Sequence, residues 1–120
     1  MNVKIDATSF GSITINGDSY DYDVLIRSSG KVKKRKKKLS KRVYGSSHTM
    51  SQDEAEHVYE ERLETLIVGT GQQGILRLSP EAEEFFQEKN IHVILRPTPE
   101  AIKVFNKQSG RTAGLFHITC

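Results

Sequence analysis

From Phe10 to Ile15 apolar and polar side chains alternate, the two-residue period of a strand with one buried face. Asn16-Gly17 follows, a pair that tolerates positive φ, and Tyr20 to Ile26 resumes the strand character before Ser28-Ser29-Gly30. The pattern predicts an N-terminal β-hairpin. Further on, the period lengthens to that of a helix three times. Ser51-Gln52-Asp53-Glu54 reads as a capping box, the serine accepting from a first-turn amide while the glutamate reaches back. Behind it Ala55, Val58, Tyr59 and Leu63 share one face. Ser79-Pro80-Glu81 opens a second helix with a cap, a proline where no amide is needed and an acid near the positive end of the dipole. Ala82, Phe85 and Phe86 form its apolar stripe. Thr98-Pro99-Glu100 repeats that grammar ahead of Ala101, Ile102, Val104 and Phe105. The residues around the two similar starts do not match, so the likeness is shared capping chemistry and not an internal repeat.

Four short β-branched or aliphatic runs fill the remaining space: Thr65 to Val68, Ile75 to Leu78, Ile91 to Leu95 and Gly114 to Thr119. Strand and helix alternate through the second half. Such alternation predicts an α/β domain with a partly parallel sheet, helices on both faces and the N-terminal hairpin as an addition. A chain of 120 residues builds one such domain, spanning residues 1–120, which excludes a multidomain enzyme.

Charge changes the picture more than composition does. Nine of the eighteen basic residues lie between Lys31 and Arg42, with no acid among them, while the rest of the chain has fifteen acids against nine bases. The chain reads as an acidic body with a basic belt at residues 31–42. Such a block is a solvated, self-repelling segment, or a strand or loop whose lysines recruit phosphate or a carboxylate-rich partner. Nucleic acid is a third reading, but the belt has no aromatic for base stacking, so only backbone contact would be expected. The single cysteine, Cys120, cannot form an intrachain disulfide, and a cytoplasmic location is expected. Apolar runs reach about five residues where a membrane helix needs about 20, and Met1 to Asp6 does not read as a signal or transit peptide.

Gly69-Thr70-Gly71-Gln72-Gln73-Gly74 is a literal G-x-G-x-x-G after a predicted strand. A dinucleotide site requires a helix opening inside the glycines, whereas Ile75 to Leu78 reads as strand, so no cofactor is assigned. Two readings stay open: a tight structural turn, or a small anion site made by the loop's amides with the helix start at Thr98. Tyr44-Gly45-Ser46-Ser47-His48 follows the belt, and Ser46 or Ser47 activated by His48 is the alternative, enzymatic reading. Cys120 beside a histidine is a further arrangement of that kind. His117 and Cys120 have H-x-x-C spacing, but two ligands without two more do not make a metal site. His57 is placed on a helix surface, and His92 on a strand facing solvent or a cleft.

Taken together, Phe10-Gly11, Ile15 with Gly17 and Tyr20, Asp23, and Lys41-Arg42-x-Tyr44-Gly45-Ser46-Ser47-His48 form one part of a pattern. Gly69-Thr70-Gly71 with Gly74, Thr98 with Ala101-Ile102 and Asn106, and His117-x-Thr119-Cys120 complete it. The chain resembles a family of small domains of undefined function found in archaea and bacteria, its basic segment looking most like the archaeal members. That family is also similar to the mammalian adipogenesis-associated domain protein and to a mitochondrial assembly factor for respiratory complex I. The resemblance implies a three-layer fold with a mixed central sheet, no established activity and, from the eukaryotic relatives, action through protein partners. A complex I role is not carried over, because no transit peptide is read here. The expected function is thus a non-enzymatic module that engages a protein partner or a small anion. Its expected contacts are Lys36, Lys37, Lys38, Lys41, Arg42 and Tyr44, with Gly69, Thr70, Gly71 and Thr98.

Overall fold

Ile5–Ser9 (β1), Ser12–Ile15 (β2) and Asp18–Tyr20 (β3) pair antiparallel in the order β1-β2-β3 in a computed structural model that describes residues 3–120. Met1 and Asn2, which begin the segment read for a leader, lie outside the described residues. The β2-β3 turn is the predicted Asn16-Gly17, with φ of 50° and 85°, the two positive values a tight primed hairpin requires. β1 escaped the pattern because Ile5 is its only large apolar residue and the only one buried. The second arm of the expected hairpin is divided. Tyr20 ends β3, whereas Val24–Ile26 (β4) crosses into another sheet, because three successive buried aliphatics need cover on both faces.

The chain continues through Val32–Lys34 (β5), Lys38–Tyr44 (α1), Thr49–Met50 (β6), Gln52–Val58 (α2), Thr65–Thr70 (β7), Arg77–Leu78 (β8), Pro80–Glu88 (α3), His92–Arg96 (β9), Thr98–Lys107 (α4) and Thr112–His117 (β10). The central sheet has the order β5-β4-β10-β7-β9 and is mixed: β7 runs parallel to β10 and β9, while β4 is antiparallel to β10 and β5. The predicted strand from Ile75 to Leu78 stays outside it. Ile75 is exposed, the Leu76 amide turns back to the Thr70 carbonyl, and only Arg77–Leu78 pair, with β6.

Side-chain alternation divides the core into two halves. Leu25, Leu66, Val68, Ala113 and Leu115 face α2 and α3, meeting Ala55, Val58, Ala82 and Phe86. Val24, Ile26, Ile67 and Phe116 face the opposite way, onto Ala101, Ile102 and Phe105 of α4 and onto Ile5, Ile13 and Ile15 of the small sheet. The result is the expected three layers, with helices on both faces. Each large side chain fully buried there stabilises the fold by about 1.5–3 kcal/mol relative to exposure.

Two helix starts follow their local grammar: Ser51 Oγ accepts from the Glu54 amide at 3.1 Å and Ser79 Oγ from the Ala82 amide at 3.0 Å. α2 stops at Val58, so Tyr59 and Leu63 lie beyond it, although Leu63 still reaches the core. Thr98 is not a cap. Pro97 occupies that position, and the Thr98 hydroxyl turns inward to donate to the His117 carbonyl and accept from the Gly71 amide.

Candidate functional site: a basic cleft over a buried ion network

The belt is not one extended block but a strand, a corner and a helix: β5, Arg35 to Lys37, then α1. Arg35 departs from its neighbours by lying inside the protein, 4% exposed. Its Nε donates to Glu54 Oε2 at 2.6 Å, one terminal nitrogen reaches Asp23 Oδ2 at 3.0 Å, and the other reaches Glu54 Oε1 at 3.0 Å and the Ser47 carbonyl at 2.8 Å. Burial works against its charge, but Glu54 and Asp23 outweigh that and raise its pKa above the ordinary arginine value. The expected capping box is altered for the same reason. Glu54, fully buried, neutralises Arg35 and accepts from Ser40 Oγ, and the Ser51 amide takes Ser40 Oγ at 2.9 Å in place of the glutamate.

Asp23 forms the other pole of the network. Its Oδ2 lies 2.7 Å from His117 Nδ1, and Oδ1 accepts from the Ile118 amide at 2.9 Å. Burial pushes its pKa up, but the hydrogen bond and electrostatic pull of His117, the Ile118 amide and Arg35 together lower it from 3.8 to about 2. The carboxylate is therefore ionised and already satisfied.

Beside this pair opens a cleft of about 650 Å³ lined by Asp21, Tyr22, Asp23 and the run from Lys34 to Lys38. Lys37 Nζ stands 3.7 Å from Asp23 Oδ2, and Lys34 Nζ lies 5.4 Å from the centre of the Tyr22 ring. Lys36 and Lys38 are exposed. The structure thus brings together Lys36, Lys37 and Lys38 of the expected contacts. It adds Lys34 and Tyr22, which sequence reasoning missed because the aromatic comes from the turn before β4 and not from the belt. The remaining belt contacts point elsewhere: Arg42 pairs with Asp53 at 3.2 Å, the Tyr44 hydroxyl donates to Glu81 at 3.1 Å, and Lys41 sits exposed on α1.

Gly69 and Thr70 belong to β7, and the loop proper begins at Gly71, with φ of 106°. Its amides are taken. Gln72 donates to the Thr119 carbonyl at 2.7 Å, while Gln73 and Ile75 donate to the Cys120 oxygen at 3.1 and 3.3 Å. Gly71 and Thr98 exchange backbone and hydroxyl hydrogen bonds with each other, and Gly69 and Thr70 lie within the sheet, so the backbone donors invoked for an anion there are spent inside the protein. A Cβ on Gly71 would overlap the Cys120 backbone, which explains the glycine without a ligand.

The Ser46 hydroxyl accepts from the His48 backbone amide at 3.0 Å, and among the described residues no hydrogen bond joins it to the His48 ring. That imidazole meets His117 edge to face at 5.4 Å. Burial first, then the charges of His117, Arg35 and Lys37, lower the His48 pKa. His117, read beside Cys120 for a metal, instead spends its ring on Asp23 and, at 3.4 Å, Thr119 Oγ1. Among the described residues no group of three or more His, Cys, Asp or Glu could hold a metal ion, and no helix is long and apolar enough to cross a membrane.

Residues 5–116 match the family model described as a protein of unknown function (DUF498/DUF598). Among solved structures the chain is similar to the conserved hypothetical protein PH1505 of Pyrococcus horikoshii OT3, at 36% identity over 98% of this chain and 99% of that one, with a TM-score of 0.91. It is similar to MT938 at 33% identity over 99% and 100% of the two chains, with a TM-score of 0.85. A Mth938-like domain protein of Bordetella pertussis shares the fold alone: 16% identity, 96% and 85% coverage, TM-score 0.63.

Proposed function

The chain belongs to the DUF498/DUF598 family of proteins of unknown function, and we propose that it is a binding module that takes up anionic groups in the cleft formed by Tyr22, Lys34, Lys36, Lys37 and Lys38. The observation that carries this reading is the convergence of four lysines and an aromatic on one concavity, where the lysines outnumber the acids Asp21 and Asp23. Asp23 is ionised, but its oxygens are already engaged by Arg35, His117 and the Ile118 amide, so it cannot by itself answer the lysines of the rim. Confining like charges there is unfavourable until an anion answers them, and a concave wall raises the local anion concentration. Lys37 can turn from Asp23 to a ligand at small cost, since its side chain is 37% exposed.

Inorganic phosphate and citrate, titrated separately into isotope-labelled protein, test the idea. Saturable shifts centred on Tyr22 and the amides of residues 34–38 are expected. Charge reversal of Lys36, Lys37 and Lys38 together removes them, whereas reversal of Lys41 and Arg42 on α1 leaves them. No saturable shift, or equal loss in both variants, overturns the assignment. Affinity falls as salt rises.

A further inference from the structure

β5 forms one margin of the central sheet and feeds directly into the cleft, Lys34 belonging to both. The Arg27 amide donates to the Lys31 carbonyl and the Arg35 amide to the Asp23 carbonyl, each at 2.9 Å, and Lys33 stands opposite Leu25. Residues 31, 33 and 35 therefore turn their backbone groups toward β4, and the antiparallel alternation turns those of Val32 and Lys34 outward. Among the described residues no hydrogen bond outside the ladder reaches them.

Open margins are ordinarily protected by proline, a bulge, a covering segment or lysine. β5 has only lysine. Lys33, opposite Leu25, stands on the α2 and α3 side, and Lys34, opposite Val24, on the α4 side. Cations on both faces repel a second basic strand, but they favour one carrying acids, since opposite charges facing across a strand pair stabilise it. The other margin, β9, has Val93-Ile94-Leu95 at its centre and no lysine, so the charge pattern is particular to β5.

We propose that β5 docks an extended acidic peptide segment of a partner protein, which adds to the central sheet as a sixth strand and sets a carboxylate in the cleft. This rests on the cleft taking anionic groups and names the kind of partner that supplies them. Backbone pairing with Val32 and Lys34 gives direction, and the lysines give selectivity for acids.

The test uses the full chain and a capped peptide of alternating Glu and Val, compared with its backbone N-methylated form, its Lys-for-Glu counterpart and inorganic phosphate. Expected are slowed hydrogen exchange at the Val32 and Lys34 amides with the Glu peptide, affinity at least about tenfold weaker for the N-methylated form, and no binding of the Lys peptide. Val32→Pro removes an amide that faces away from β4, so it should abolish peptide binding and retain phosphate uptake. Equal affinity of the N-methylated and parent peptides overturns strand addition while the anionic cleft stands. Silence toward both peptide and phosphate overturns the cleft as well. Should Val32→Pro fail to fold, exchange at the two wild-type amides decides: slowed exchange supports strand addition and unchanged exchange refutes it.

Discussion

Arg35 stands among lysines yet is the one member of the belt that the fold consumes. A guanidinium presents a planar fork of donors, and here the fork is satisfied by two carboxylates and a carbonyl, a task no ammonium could perform. Replacing it with methionine leaves Asp23 and Glu54 buried without their partner, and about 3–5 kcal/mol of stability should be lost in urea unfolding. Lys36→Met, on the surface, should change stability by less than about 0.5 kcal/mol. Asp23 has a second, pH-dependent consequence. Its folded pKa, about 2, lies below its ordinary 3.8, so its contribution is fully present above pH 4 and is lost as pH falls through 2. Acid titration of wild type should remove about 2 kcal/mol over that interval, and Asp23→Asn should flatten the profile there. None of this was legible in the sequence. A run of like charge implies solvation, and what singles out Arg35 is a pair of carboxylates twelve and nineteen positions away.

Elements were legible where their chemistry is local. Asn16-Gly17 makes its turn by its own positive φ values, and the serines at 51 and 79 each accept from an amide three residues on, so the turn and two helix starts could be placed without knowing the fold. Ser79→Ala should cost about 1 kcal/mol, read from thermal unfolding. Ser51→Ala should cost more, because that hydroxyl also donates to the Leu39 carbonyl. Thr98 carries the same local signal but answers to partners 27 and 19 residues away, and Ile75 to Leu78 is turned aside by the loop before it. Gly71 measures that distant demand. Gly71→Ala meets both the positive φ and the Cys120 backbone, whereas Gly17→Ala meets the φ alone, nothing lying within 4 Å of its added carbon. Gly17→Ala should therefore cost about 1–2 kcal/mol, and Gly71→Ala clearly more, with displaced Thr119 and Cys120 resonances.

Over the whole molecule, alternation of strand and helix was enough to predict an α/β sheet with parallel pairs, because periodicity reports which faces are buried. It could not report strand order, and the cleft depends on that order: Tyr22 meets the lysines only because β4 and β5 are neighbours. Strand order also shapes folding. β10 lies between β4 and β7, and bonds such as the Ile5 amide to Asn106 and the Ile118 amide to Asp23 span about the full chain. Leu115→Ala, fully buried on β10, should cost about 2–5 kcal/mol. Stopped-flow mixing should find most of that loss as slower refolding, since neither half of the sheet closes without this strand. A ribosome delivers the chain in sequence order, so β4 and β7 emerge with their inner margins unpaired and wait for β10, which is made after both of them and after β9 and α4. During that interval a nascent-chain chaperone that shields bare strand margins would have its greatest effect, and a stalled or truncated translation product would expose the two margins that the finished protein never presents.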